Sequence, residues 1–126
     1  MNTILIVEDE AQVRKLLKQI LTHEYRVREA AEADEAIKVA RSSRPDLVIL
    51  DLNLQGYQDG LEVCRALRND PAPVLAQVPI LMLTGATKET DIKAALAAGA
   101  TGYIGKPYNK QALLASIATL LAAKGV

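Results

Sequence analysis

The stretch Leu47-Val48-Ile49-Leu50-Asp51 decides the fold. Four aliphatic residues in succession show no alternation. That pattern suits a strand covered on both faces, as in a parallel sheet with helices on each side. The run ends on a carboxylate, and three other stretches repeat the arrangement. Ile4-Leu5-Ile6-Val7 is followed by Glu8 and Asp9, Ile80-Leu81-Met82-Leu83 by Thr84, and Tyr103-Ile104-Gly105 by Lys106 and Pro107. In an open parallel sheet the C-terminal strand ends lie along one edge, where such folds bind ligands. Three carboxylates, a hydroxyl and an ammonium are therefore predicted to meet in one pocket. That set suits a divalent cation beside a phosphoryl group.

Between the strand runs lie stretches with helical period. Val13, Leu16, Leu17, Ile20 and Leu21 share one helix face, as do Ile92, Ala95, Leu96 and Gly99, and then Leu113, Ile117, Leu120 and Leu121. Weaker helices fit 34–42 and 60–68, and 69–78, with two prolines and no period, reads as a loop. Gly125 is placed to end the last helix. The order is β-α five times over. Tyr25-Arg26-Val27-Arg28 alternates apolar with charged and reads as an edge strand. The short, glycine-containing strand 101–105 reads as the other edge. Three central strands and two edges fit the order 2-1-3-4-5, the doubly wound, flavodoxin-like (βα)5 arrangement with right-handed crossovers. Its switch point falls between strands 1 and 3, where Glu8, Asp9 and Asp51 lie.

A chain of 126 residues fits one domain, residues 1–126, with room for a core. With 50% apolar and 24% charged residues it has ordinary globular composition, and its core is aliphatic because Trp and Phe are absent. The formal net charge is zero, so nothing argues for a nucleic-acid or membrane-surface partner. No apolar run approaches the roughly 20 residues of a membrane span. A strand is predicted almost at the N-terminus, so no signal peptide is expected. Cys64 is the single cysteine, so a reducing, cytoplasmic setting is expected. Cys64 reads as a small core residue and His23 as a surface residue.

Each polar residue alone has an ordinary explanation. An aspartate at a strand end can cap the next helix; Thr84 can be a turn residue and Lys106 a solvated charge. Independent capping gives no reason for all five to share one edge. Mg²⁺ (or Mn²⁺) prefers octahedral oxygen coordination and often takes one or two carboxylates plus a phosphate oxygen. Asp9 and Asp51 are the candidate carboxylates, and Glu8 is expected to act through a water of the cation's shell.

In these motifs the chain resembles the response-regulator receiver domain of two-component signalling, along its whole length. The matching pieces are Ile4-Leu5-Ile6-Val7-Glu8-Asp9-Glu10, Pro45-Asp46-Leu47-Val48-Ile49-Leu50-Asp51-Leu52, Asp59-Gly60-Leu61-Glu62, Pro79-Ile80-Leu81-Met82-Leu83-Thr84-Gly85 and Gly99-Ala100-Thr101-Gly102-Tyr103-Ile104-Gly105-Lys106-Pro107-Tyr108. The resemblance implies that Asp51 takes a phosphoryl group from a histidine kinase or histidine phosphotransfer protein. It implies that the Asn53 carbonyl completes the metal ligands and that the backbone N–H groups of Asn53 and Gly85, with Thr84 and Lys106, hold the phosphoryl oxygens. It also implies a cis Lys106–Pro107 bond. Thr84 and Tyr103 become a switch that repacks the fourth predicted helix, the fifth strand and the fifth helix, for a downstream protein target or an output domain. Such a protein has no separate substrate; it catalyses only its own phosphorylation and dephosphorylation.

Two departures stand out. Gln55 occupies the place of a usual proline, in a 55–58 loop one residue longer than the family's, and Gly85 replaces an alanine where a small residue is expected. Three rivals remain. A degenerate receiver would be a constitutive interaction module, but the set Asp9, Asp51, Thr84 and Lys106 is intact. An aspartyl phosphatase of the haloacid-dehalogenase type would carry an aspartate where Asn53 stands. A flavodoxin-like cofactor module would want a phosphate loop where Glu8-Asp9-Glu10 would repel phosphate.

Overall fold

In the computed structural model, five β-strands and six α-helices follow one another, and the structure describes residues 1–52, 54, 60–85 and 89–124, the side chains of Thr84 and Lys124 excepted. The order is β1 (Thr3–Val7), α1 (Ala11–Leu21), β2 (Arg26–Ala30), α2 (Ala33–Ser43), β3 (Leu47–Asp51), α3 (Gly60–Arg68), α4 (Pro73–Ala76), β4 (Ile80–Thr84), α5 (Glu89–Ala97), β5 (Gly102–Gly105) and α6 (Lys110–Lys124). All strand pairs are parallel and the sheet order is β2-β1-β3-β4-β5, the doubly wound arrangement expected from the sequence.

Successive side chains of a strand point to opposite faces, and here both faces are dry. Ile4, Ile6, Leu47, Ile49, Leu81 and Leu83 pack with Leu17 and Leu21 of α1 and Leu113 and Ile117 of α6. Leu5, Val7, Val48, Leu50, Ile80 and Met82 pack on the other face with α2, α3, Leu75 of α4 and Ala95 of α5. Two cores back to back explain why the central strands read as unbroken aliphatic runs. The edge strands differ as expected: β2 is mostly exposed, and in β5 exposed and half-buried residues alternate.

Three local expectations need correction. The span read as a loop contains α4: Pro73 stands in its first turn, where a fixed φ favours helix, and Leu75 is buried. One turn is too short to display a period. In α5 only Ala95 of the expected face is buried, Leu96 is 45% exposed, and Gly99 lies beyond the helix with φ of 111°. That left-handed backbone suits glycine, and a Cβ there would also strike the Arg68 side chain. Arg68 uses the space to donate to the carbonyls of Gly99 and Ala76 at 2.8 and 3.2 Å, tying α3 to the last residue of α4 and to the chain after α5. In α1, Leu16 points outward, 53% exposed. The expectations for Asn53, for the 55–58 loop and for Gly125 lie outside the described residues.

Cys64 is buried, and its thiol donates to the Ala98 carbonyl at 3.3 Å; burial pushes the thiol pKa up, as befits a packed residue. His23 is exposed.

Candidate functional site

The C-terminal edge of the sheet carries the site. β1 and β3 are adjacent, and the chain leaves them in opposite directions across the sheet, which opens a crevice over their ends. Glu8 is 1% exposed and Asp51 6%, while Asp9 is half-buried. One oxygen of each of these three carboxylates lies within 4.8 Å of the other two. The Lys106 ammonium reaches in from beyond β5, 3.4 Å from Asp51 Oδ2 and 3.7 Å from Glu8 Oε2. The Lys106–Pro107 peptide bond is cis.

The backbone beneath is tightly specified. The Leu52 N–H donates to the Leu83 carbonyl at 2.9 Å, and the Gly60 N–H donates to the Leu52 carbonyl at 3.0 Å. A Cβ on Gly60 would collide with the Asp51 carbonyl oxygen and come within 2.9 Å of Leu52 Cα. Both obstacles are backbone, so Gly60 lets α3 start directly against the peptide that carries Asp51. The Asp59-Gly60 pair stood out in the sequence, and this approach is its physical reason on the glycine side.

Burial, and after it the crowding of like charge, sets the electrostatics of the site. The Glu8 carboxyl is raised from 4.5 to about 7, first by burial, then by its hydrogen bond and charge interaction with Asp51; the Glu10 N–H and Lys106 pull the other way. A neutral Glu8 carboxyl can donate to Asp51, an ionised one cannot. Glu8 Oε1 accepts the Glu10 N–H at 3.3 Å, whereas the buried Oε2 has no hydrogen-bond partner among the described residues. Nor does capping account for the acidic run: Glu10 is the N-cap of α1 and makes no side-chain cap bond. Clustered carboxylate oxygens, one of them buried and without a hydrogen bond, fit a hard divalent cation such as Mg²⁺ or Mn²⁺.

Of the remaining expected residues, Thr84 ends β4, with its backbone opposite Gly105, and its side chain lies outside the described atoms. Gly85 is exposed, and a Cβ there would meet no described atom within 4 Å. The expected need for a small residue is thus not a steric one among these atoms. Tyr103 is 46% exposed and lines a cavity of about 270 Å³ with Leu81, Gly102, Ala115, Ser116 and Leu120. Asn53 is outside the described residues.

Sequence reasoning passed over two neighbours. The half-buried Tyr108 has its hydroxyl pKa pushed up by burial and by the Glu8 charge. Arg14 donates from Nη1 to the Glu8 carbonyl at 2.8 Å. Tyr108 was legible only as part of the Lys106-Pro107-Tyr108 motif. Arg14 had no signal beyond its place on the polar side of an amphipathic helix.

Comparison with known proteins decides the family. Residues 4–118 match the family model described as the response regulator receiver domain. The chain belongs to this family. Among relatives, the receiver domain is 37% identical over 122 residues to the transcriptional regulatory protein AfsQ1 of Streptomyces coelicolor, which covers 96% of the chain and 52% of that protein. It is 39% identical to the transcriptional regulatory protein ResD of Bacillus subtilis over 94% of the chain and 47% of ResD. The receiver domain thus spans about half the length of the curated relatives it matches. Among solved structures, the chemotaxis protein CheY4 of Vibrio cholerae superimposes with a TM-score of 0.88 at 32% identity, over 95% of this chain and 98% of that one. The BeF3-activated receiver domain of Klebsiella pneumoniae RstA gives 0.85 at 34% identity, over 95% and 98%. Receiver domains are signalling modules of two-component systems rather than conventional enzymes. Among the described residues no helix is long and apolar enough to cross a membrane.

Proposed function

We propose that residues 1–126 form a phosphorylation-activated switch that accepts a phosphoryl group on Asp51. The observation that carries this reading is the position of Asp51: a buried carboxylate at the switch point, 3.4 Å from a lysine ammonium and clustered with two further carboxylates. The donor is a histidine kinase or a histidine phosphotransfer protein. An Asp51 oxygen attacks phosphorus as the P–N bond to the donor imidazole breaks; the nitrogen keeps the bonding electrons and takes up a proton, and an acyl phosphate remains on Asp51. Such transfers need in-line positioning and neutralised equatorial oxygens more than acid–base groups. Lys106 supplies one positive partner, and the Thr84 hydroxyl with the Asn53 and Gly85 N–H groups supplies neutral donors. Asp9, Asp51 and the Asn53 carbonyl would hold Mg²⁺ (or Mn²⁺), with Glu8 beside them. When bound, the cation supplies Lewis-acid neutralisation of the phosphoryl charge.

The signal leaves through Thr84 and Tyr103. Thr84 moves toward the new dianion, Tyr103 turns inward, and the face formed by α5, β5 and α6 changes. Leu96 and Tyr103, 45% and 46% exposed, are apolar surface on that face for a protein target or an output domain to read. The setting is cytoplasmic, with no direct nucleic-acid or membrane contact. One relative, of Mycobacterium leprae, is named DNA-binding response regulator MtrA, and this chain covers 48% of it. We assign DNA contact there to the part this chain does not match.

The test is incubation with acetyl phosphate and Mg²⁺, read by intact mass. The parent gains one phosphoryl group, and Asp51→Asn gains none. Labelling that survives in Asp51→Asn, or that EDTA leaves untouched, refutes the assignment.

A further inference from the structure

Glu8 is held at both of its backbone groups, by the edge strand next to it at the N–H and by Arg14 of α1 at the carbonyl that begins the Glu8–Asp9 peptide. The Glu8 N–H donates to the Ala30 carbonyl of β2 at 3.0 Å. Its carbonyl accepts Arg14 Nη1 at 2.8 Å. Arg14 is anchored in turn, with Nε 3.6 Å from Glu29 Oε1, and Lys18, one helical turn on, brings its ammonium to 3.4 Å from Glu29 Oε2. Glu29 and Ala30 are consecutive residues of β2, opposite Ile6 and Val7. β2 therefore clamps Glu8, the residue before Asp9, directly at its N–H through Ala30 and indirectly at its carbonyl through Glu29 and Arg14. The Arg14 side chain is 21% exposed and that of Lys18 51%, so Arg14 is the more enclosed member.

A guanidinium offers donors in a rigid planar fork, so one nitrogen can hold a carbonyl while another faces a carboxylate. Rotation of the Glu8–Asp9 peptide would swing the Asp9 side chain, and the clamp opposes that rotation. We propose that Arg14, oriented by Glu29, is a positioning residue for the metal site, holding Asp9 where its carboxylate converges with that of Asp51. This rests on the reading of Asp9 and Asp51 as ligands of a divalent cation. Neither Arg14 nor Glu29 touches the cation; they act through the backbone.

The experiment is amide NMR of the ¹⁵N-labelled full chain, first metal-free and then titrated with Mg²⁺ alone, with a thermal melt of each variant. Arg14→Ala is expected to bind Mg²⁺ about tenfold more weakly than the parent, the low end of what loss of an outer partner of a metal ligand costs. Its metal-free spectrum should show displaced Asp9 and Glu10 amides. Arg14→Lys keeps the charge but loses the fork, and should resemble Arg14→Ala. Glu29→Gln should lie between, and the double variant should bind no more weakly than Arg14→Ala, because Glu29 acts through Arg14. A merely structural role would lower the melting temperature and leave Mg²⁺ affinity of the folded protein at the parent value; that result overturns the proposal, as does an unmoved Asp9 amide. Should Arg14→Ala fail to fold, parent-like affinity in Glu29→Gln and Arg14→Lys overturns it equally. A parent that takes up no Mg²⁺ removes the metal-site reading itself and the proposal with it, a failure recognisable before any variant is compared.

Discussion

Glu8→Gln isolates the energetic consequence of burying a carboxyl beside Asp51. In the folded protein this acid titrates near 7 rather than 4.5, because burial and the Asp51 carboxylate disfavour its charged form. The sign follows from proton linkage. A raised pKa means that the folded state holds the proton more tightly than the unfolded state. Glu8 thus contributes stability that is fully present below pH 4.5 and is lost as the pH rises through 7. Gln mimics the neutral acid, including a donor for Asp51, and has nothing to lose. A proton-binding difference costs about 1.4 kcal/mol for every tenfold change in the equilibrium constant. Metal-free Glu8→Gln should therefore exceed the parent by less than ~1 kcal/mol at pH 5 and by roughly 3 kcal/mol at pH 8. For a domain of this size that is about 10 °C in melting temperature at pH 8. The assay is thermal or urea unfolding in EDTA at pH 5, 6, 7 and 8. With saturating Mg²⁺ the advantage should shrink, because the cation favours the ionised parent carboxylate. An increment independent of pH, or a Glu8→Gln protein less stable than the parent at pH 8 in EDTA, refutes the reasoning.

Gly60→Ala should be destabilised by roughly 1–3 kcal/mol, the scale of overpacking against atoms that cannot yield, since its Cβ meets the backbone of Asp51 and Leu52; urea unfolding measures it. Asp9→Ala should raise metal-free stability by ~1 kcal/mol through relief of carboxylate repulsion while weakening Mg²⁺ binding, and a variant that melts clearly lower in EDTA would make Asp9 a structural residue. Thr84→Ala should still be phosphorylated. With beryllofluoride its amide shifts should stay near Asp51, where the parent's extend over α5, β5 and α6. Equal responses in the two proteins would place the coupling elsewhere.

Most of the fold was legible in the sequence because its determinants are local and periodic. Unbroken aliphatic runs such as Leu47-Val48-Ile49-Leu50 demand cover on both faces, and the alternating Tyr25-Arg26-Val27-Arg28 demands only one, so strand number and the central and edge places followed from hydropathy, and the doubly wound order 2-1-3-4-5 fitted them. The collection of Glu8, Asp9, Asp51 and Lys106 was legible for the same reason, since parallel strands deliver their ends to a single edge. What stayed hidden depends on distance rather than pattern. α4 is one turn long and shows no period, and its presence rests on the burial of Leu75. The outward exposure of Leu16 and Leu96 depends on which helix faces find a neighbour, something a period cannot specify. Gly60 and Gly99 look alike as letters, yet one is required by a backbone 2.9 Å away and the other by a left-handed φ and an arginine side chain. Arg14 and Glu29 are fifteen positions apart on an ordinary helix and an ordinary edge strand. Only the packing of α1 against β2 brings them together beside the Glu8 carbonyl, and a charge pair formed across elements leaves no trace in the spacing of either.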